Sequence, residues 1–284
     1  MKSKQIVIDK DAFIGIGVNA LCNFAKNHLL LVCDTLLYEC ITDESTHNRR
    51  LLDSCKNLID AGAYYCTCSI TFLKWEGLNL YPYPTFLPDL EKTKQIRKGY
   101  VRPEDSFTNQ ELEKILNLHT GVAKNILIGT VERLRHRINS ERPDIATNIR
   151  TLPRDTHNRM AQWLEGLDRV GMHDVAVRSM QKEWLKDDAK FCLHQEWISW
   201  QYFRLASVLA NEYYYLSQMG GIPGTQRAEH DYQDMEYVLL LSKADGILTR
   251  DEQLVKPLAK AAFPDKDVFS SLDEVPDEYI CNWS

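Results

Sequence analysis

The chain predicts an α/β protein in which short buried strands alternate with helices. Three observations carry that expectation. Apolar runs of strand length recur at both ends of the chain, and several close on an acidic residue: Gln5-Ile-Val-Ile-Asp9 and Gly246-Ile-Leu-Thr249-Arg-Asp251. Stretches with helical spacing lie between those runs. The middle of the chain, from Thr108 to about Gly220, is helical in pattern almost throughout.

Taken in order, residues 5–9 form a continuous apolar run and read as a fully buried strand. After Gly15 and Gly17, Val18 to Lys26 has helical character. His28 to Cys33 is a second strand-length run, and Asp34 or Thr35 is placed to cap a helix through Glu39 and Ile41. Asn48 to Ala61 carries Leu51, Leu52, Cys55, Leu58 and Ile59 on one face of an amphipathic helix. Ala63 to Leu73, rich in Tyr, Cys, Thr and Ile, is expected to be a strand with Cys66 and Cys68 on one face. Leu80 to Pro88 holds three prolines, which excludes a central strand or helix and marks a boundary.

In the middle, helices are expected over Asn109–Asn139, Thr156–Val170, Asp174–Lys186 and roughly Ala189–Met219. Gly220-Gly-Ile-Pro-Gly224 ends the pattern. A helix over 231–243, a strand over 246–249, a helix from Glu252 to Ala262 and a last strand near Val268–Ser270 follow. The strand-rich ends are therefore expected to close on each other as one unit, residues 1–80 and 225–284. Residues 81–224 form an all-helical insertion beside it, about the size of a small domain.

Composition bounds the function. The 284 residues, 44% hydrophobic and 26% charged, have enough apolar material for a large core. A net charge of −6 argues against a uniformly basic nucleic-acid coat and leaves room for a local basic patch. Eight cysteines without a CxxC pair fit buried free thiols in a reducing compartment. The first residues hold too short an apolar run for a signal segment, and no stretch approaches the roughly 18 apolar residues of a membrane span. The expected location is the cytoplasm, with no membrane partner.

Chemistry is expected where acids collect. Asp9 closes a buried strand, Glu39 lies on a mostly apolar helix, Asp231 and Asp234 sit where the helix before the next strand is expected to open, and Asp251 follows that strand. Strand ends are where open α/β sheets place their sites. Taken singly, each acid has a plainer explanation. Asp234 could cap its helix for roughly 1 kcal/mol, and Asp11, Asp34 and Asp245 suit turn, cap and strand-entry positions. Glu39 is harder to dismiss, because an unpaired buried carboxylate is costly.

The segments Ile6-Val-Ile-Asp9, Leu36-Leu-Tyr-Glu39 and Asp234-Met-Glu-Tyr-Val-Leu-Leu-Leu-Ser-Lys-Ala-Asp-Gly-Ile-Leu-Thr249-Arg-Asp251 resemble the PIN-domain nuclease family. The resemblance covers roughly residues 1–75 and 228–275 and does not reach the insertion. It implies a PIN-like parallel-sheet core flanked by helices, binding Mg²⁺ or Mn²⁺ and cutting RNA as an endoribonuclease. Carried over by position, Asp9, Glu39, Asp234 and Asp251 are the catalytic, metal-binding acids. Asp231 competes with Asp234 for the metal, and Thr249 lines the site. Carboxylates at close quarters need a cation to remain ionised together, and such a metal can activate water for attack on a phosphodiester.

In the insertion, Arg133, Arg135, Arg137, Arg142, Arg150, Arg154 and Arg159, with His136 and His157, form a locally basic stretch. It is either an RNA phosphate track, in which Arg133, Arg135 and Arg137 bind substrate, or a solvated helix face with ordinary ion pairs. The aromatics Trp184, Trp197, Trp200, Tyr202, Phe203 and Tyr213 to Tyr215 follow helical faces and are expected in a core. Two other functions stay open. Ile8-Asp9-Lys10-Asp11-Ala12 superficially matches the Asp-x-Asp nucleophile of haloacid-dehalogenase-like phosphatases, and a non-catalytic PIN-like module could bind RNA or protein. Partners beyond RNA, a homodimer or an inhibitory protein, are left open by the resemblance.

Overall fold

A computed structural model of the chain describes residues 3–42, 48–67, 69–106, 117, 121, 151–169, 194–221 and 224–281. Its centre is a five-stranded, all-parallel sheet. Strand β1 (Gln5–Ile8) is followed by α1 (Lys10–Ile16), α2 (Val18–Ala25), β2 (Leu29–Cys33), α3 (Asp34–Thr42), α4 (Asn48–Ala61) and β3 (Tyr64–Cys66). Then come α5 (Ser69–Asn79), α6 (Leu90–Arg97), α7 (Thr156–Arg169), α8 (Ile198–Met219) and α9 (Thr225–Leu241). The chain returns to the sheet through β4 (Gly246–Leu248), α10 (Val255–Ala262) and β5 (Asp267–Phe269).

The strand order is β3-β2-β1-β4-β5. Ile6 pairs with Leu30 on one side and Gly246 on the other, and Ile8 pairs with Leu248. Strands from the two ends of the chain thus meet in one sheet. Every residue of β1, β2 and β4 is buried, which is why these strands read as unbroken apolar runs and not as alternation. The chain steps outward from β1 to β3 and then returns beside β1. The order therefore reverses between β1 and β4, and a crevice opens at the carboxyl ends of those two strands.

Helix α4 presents the predicted face, with Cys55, Leu58 and Ile59 fully buried. Gly62 then turns the chain into β3 at φ +139°, where a Cβ would come within 2.5 Å of the Ala25 carbonyl oxygen. The expected strand over 63–73 is corrected: β3 stops at Cys66 and α5 begins at Ser69. Phe72 and Glu76, one helical turn apart, are both fully buried, so the rough alternation of this segment conceals a helical face.

Glu76 accounts for much of how α8 is seated. Its carboxylate accepts from the backbone N–H of Ile198 at 2.9 Å, of Ser199 at 2.8 Å and of Tyr83 at 2.9 Å. The first two are donors of the α8 amino terminus without an intrahelical partner, and the cap residue, Trp197, supplies no side-chain capping bond. A second buried charge joins α7 to α8: Arg159 and Glu212 pair at 2.7 Å, and Trp163 Nε1 donates to Glu212 at 2.9 Å. Arg159 also lies 4.1 Å over the Tyr215 ring. The arginine at the end of the basic stretch is thus a core ion-pair partner and not part of a phosphate track. Tyr213, Tyr214 and Tyr215 are buried as expected. Helices α7 and α8 pack on α9 and α10 of the sheet-bearing unit. Arg133, Arg135, Arg137 and Trp184 lie outside the described residues, as do the expected helices over 109–139 and 174–186 apart from residues 117 and 121.

Candidate functional site

Asp9 follows β1 directly. Its backbone N–H continues the parallel ladder to the Leu248 carbonyl at 3.2 Å, and one carboxylate oxygen accepts from Ala12 N at 2.7 Å, capping α1. The side chain of Thr249, the first residue beyond β4, hydrogen-bonds the same carboxylate. Thr249 is fully buried, and its hydroxyl oxygen accepts from Asp251 N at 3.1 Å. Asp9, Thr249 and Asp251 are therefore linked in sequence across the reversal point of the sheet.

Asp251 has the capping role that the sequence allows to any strand-end acid. Its oxygens accept from Gln253 N at 2.7 Å and Val255 N at 3.0 Å, leading into α10. Glu39 approaches from α3, buried, and accepts a short hydrogen bond from the hydroxyl of fully buried Tyr237. Tyr237 belongs to α9, three residues beyond Asp234 and six beyond Asp231, so all three share one helix face.

That helix corrects one expectation. It begins at Thr225, so Asp231 and Asp234 lie in its second and third turns and neither is a cap. The two acids also differ in their partners. Asp231 accepts from Tyr213 Oη at 2.5 Å and stands 3.9 Å from Arg227 Nε. Asp234 has no hydrogen-bond or ion-pair partner among the described residues.

The electrostatics follow from burial. Desolvation first, then repulsion by Glu39, Asp251, Asp231 and Asp9, pushes the Asp234 carboxyl up to about 9. Asp9 is raised to about 7 by desolvation, with Asp11 and Asp251 adding repulsion and the Thr249 and Ala12 hydrogen bonds opposing it. Glu39 is raised to about 7, again mainly by burial, although the Tyr237 bond and nearby Lys10 favour its charge. Asp231 is raised for the same principal reason. Each of these acids perturbs Asp234, so the structure brings the candidates into one electrostatic cluster. Among the described residues, no group of three or more His, Cys, Asp or Glu side chains is arranged to hold a metal ion.

Residues the sequence reading passed over surround this cluster. Tyr213 and Tyr237 donate to its acids. Arg250, between Thr249 and Asp251, lies across α1, where a Cβ on Gly15 would fall 2.2 Å from its Nη1. The only available signals were spacing: Tyr237 three residues after Asp234, and an arginine inside the Thr-x-Asp segment. Asp11 is exposed in the first turn of α1. Asp34 is buried and accepts from the Tyr65 and Thr67 hydroxyls, a structural role.

A cavity of about 1080 Å³ lies elsewhere, lined by Tyr83, Trp200, Arg204, Lys243 and Lys266 among others. Lys243 and Lys266 precede β4 and β5, so this cavity is at the amino-terminal edge of the sheet, opposite the acids. We regard the acid cluster as the candidate site, because it joins perturbed carboxylates to the reversal point of the sheet. Among the described residues, no helix is long and apolar enough to cross a membrane. Compared with models of known families, with characterised proteins and with solved structures, the chain gives no match.

Proposed function

We propose that the protein is a PIN-like, metal-dependent nuclease that hydrolyses phosphodiester bonds of RNA at the acid cluster. One observation carries the reading. Asp234, without a hydrogen-bond donor of its own, is held among Glu39, Asp251, Asp231 and Asp9, all of which repel its charge. A fold gains no stability from burying a carboxylate among four others in this way, whereas a divalent cation would offset their repulsion.

The donor set suits a hard cation in its chemistry, since every candidate ligand is a carboxylate oxygen. No three of these side chains are arranged as a ready-made cage among the described residues, so a bound Mg²⁺ would take one or two direct carboxylates and otherwise water. Asp234, which has no donor of its own among the described residues, would be the first to hold it, with Glu39 or Asp9 beside it. Asp251, with both oxygens already accepting from α10 backbone, would act from further out. A bound metal would supply an activated water and stabilise charge on the phosphoryl oxygen. Thr249 holds the Asp9 carboxylate in place, and Tyr237 does the same for Glu39. The strand order β3-β2-β1-β4-β5 supports the reading because it sets Asp9 and Thr249 side by side.

The test is cleavage of an end-labelled single-stranded RNA by the purified protein with Mn²⁺ or Mg²⁺, beside an Asp9→Asn/Asp251→Asn double variant. The expected outcome is metal-dependent cutting by the first and none by the second. Equal cutting by both would assign it to a contaminant and remove the proposal.

A further inference from the structure

An acidic cluster must still bring a polyanion close, and the groups that could do so among the described residues are few. Arg250 is exposed and has no hydrogen-bond or ion-pair partner among the described residues. The backbone that carries it is held on both sides. The backbone on its amino side is held through Thr249, whose N–H donates to the Phe269 carbonyl at 2.9 Å. On its carboxyl side it is held by Asp251, whose N–H donates to Thr249. Its side chain lies on the bare backbone of Gly15. A Cβ there would come within 2.2 Å of Nη1, 3.0 Å of Cδ and 3.1 Å of Cζ, so a side chain at this position would push the guanidinium from where it lies. No unusual backbone angle demands a glycine at this position, and the three atoms nearest to such a Cβ all belong to the arginine.

We propose that Arg250, seated on Gly15 beside the acid cluster, binds a phosphate of the substrate strand next to the bond that is cut. This rests on the nuclease reading above and adds to it the group that engages the substrate backbone. A planar guanidinium with five donors matches a phosphate in two-point geometry, which a lysine cannot reproduce. Its neighbours Thr249 and Asp251 tie it to the same loop that orients Asp9, so a phosphate held by Arg250 is held in register with the acids. Exposed Arg227 and His230 of α9 also favour the charge of Asp231.

The experiment measures binding apart from cleavage. Fluorescence anisotropy with a labelled single-stranded RNA, in buffer containing Ca²⁺, is run on the parent protein and on Arg250→Gln, Arg250→Lys and Gly15→Ala, with kcat and KM measured in Mn²⁺. Arg250→Gln is expected to weaken binding about tenfold, the loss of one charge-assisted contact. It should also lower the slope of log affinity against log salt by about 0.7, one single-strand phosphate contact. Arg250→Lys should restore the slope but not the full affinity. Gly15→Ala keeps the arginine yet lifts it from its seat, and should weaken binding without lowering the melting temperature. If Arg250→Gln and Gly15→Ala bind as the parent does, or if the parent binds no RNA, the proposal is overturned. RNA that binds through Arg250 but is never cut would remove the nuclease reading and leave the binding assignment standing.

Discussion

At the scale of single residues, the site is distinguished by how unevenly its acids are satisfied. Asp9 has an α1 backbone donor and Thr249, Asp251 has α10 backbone donors, Glu39 has Tyr237, and Asp231 has Tyr213. Asp234 is left with four like charges as its neighbours. Replacing it with Asn removes the charge that folding opposes while keeping the volume. Asp234→Asn is expected to raise the melting temperature of the metal-free protein by a few degrees, since about 1 kcal/mol corresponds to roughly 2–4 °C in a large domain. The same variant should lose RNA cleavage and any melting-temperature increase produced by Mn²⁺. A variant that is less stable than the parent and still gains stability from Mn²⁺ would exclude Asp234 from the metal. Tyr237→Phe separates positioning from ligation: the Glu39 carboxylate loses its donor, so kcat should fall with little change in KM.

At the scale of elements, the sequence was readable where burial is uniform and opaque where it is not. Strands β1, β2 and β4 were foreseeable because parallel strands covered on both faces are continuous apolar runs. The extent of β3 was not, since Tyr64 to Phe72 satisfies a strand pattern and a helical one equally well over so short a span. The start of α9 was also hidden. Its cap is Gly224 with no side-chain bond, and its first residues, Thr225 to Glu229, are polar except for buried Ala228. Asp231 therefore looked like the beginning of the helix. The acids of the candidate site could be picked out from their positions beside strands and helices, but the donors to Glu39 and Asp231 could not, because Tyr237 and Tyr213 meet them only through tertiary packing.

Between elements, the Arg159–Glu212 pair tests how the α7–α8 segment is held. Arg159→Met leaves Glu212 in the core with Trp163 as its one remaining donor among the described residues, and is expected to cost about 3–5 kcal/mol. Arg159→Met/Glu212→Leu removes both charges and should recover most of that loss in chemical denaturation. A double variant as unstable as the single one would show that shape, not charge, is what the pair supplies.

At the scale of the whole molecule, the acid cluster sets a direction for stability against pH. Asp9 and Glu39 titrate at about 7 and Asp234 at about 9 in the folded protein, against about 4 in an unfolded chain. The folded state therefore keeps protons that the unfolded state has released, so stability falls with rising pH wherever the two differ. The fall begins near pH 4, steepens while all three groups contribute, and ends as pH passes the highest folded value, near 9. In EDTA the melting temperature is accordingly expected to drop between pH 5 and pH 8. Mg²⁺ or Mn²⁺ binds the ionised cluster, so added metal should raise the melting temperature more at pH 8 than at pH 5, reversing part of the decline. Scanning fluorimetry over that range, with EDTA and with metal, checks both limbs. A metal-free melting temperature that is flat or rising would mean that these acids are not the dominant titrating groups. A decline in EDTA that metal leaves untouched would mean that the cluster titrates as described but holds no cation.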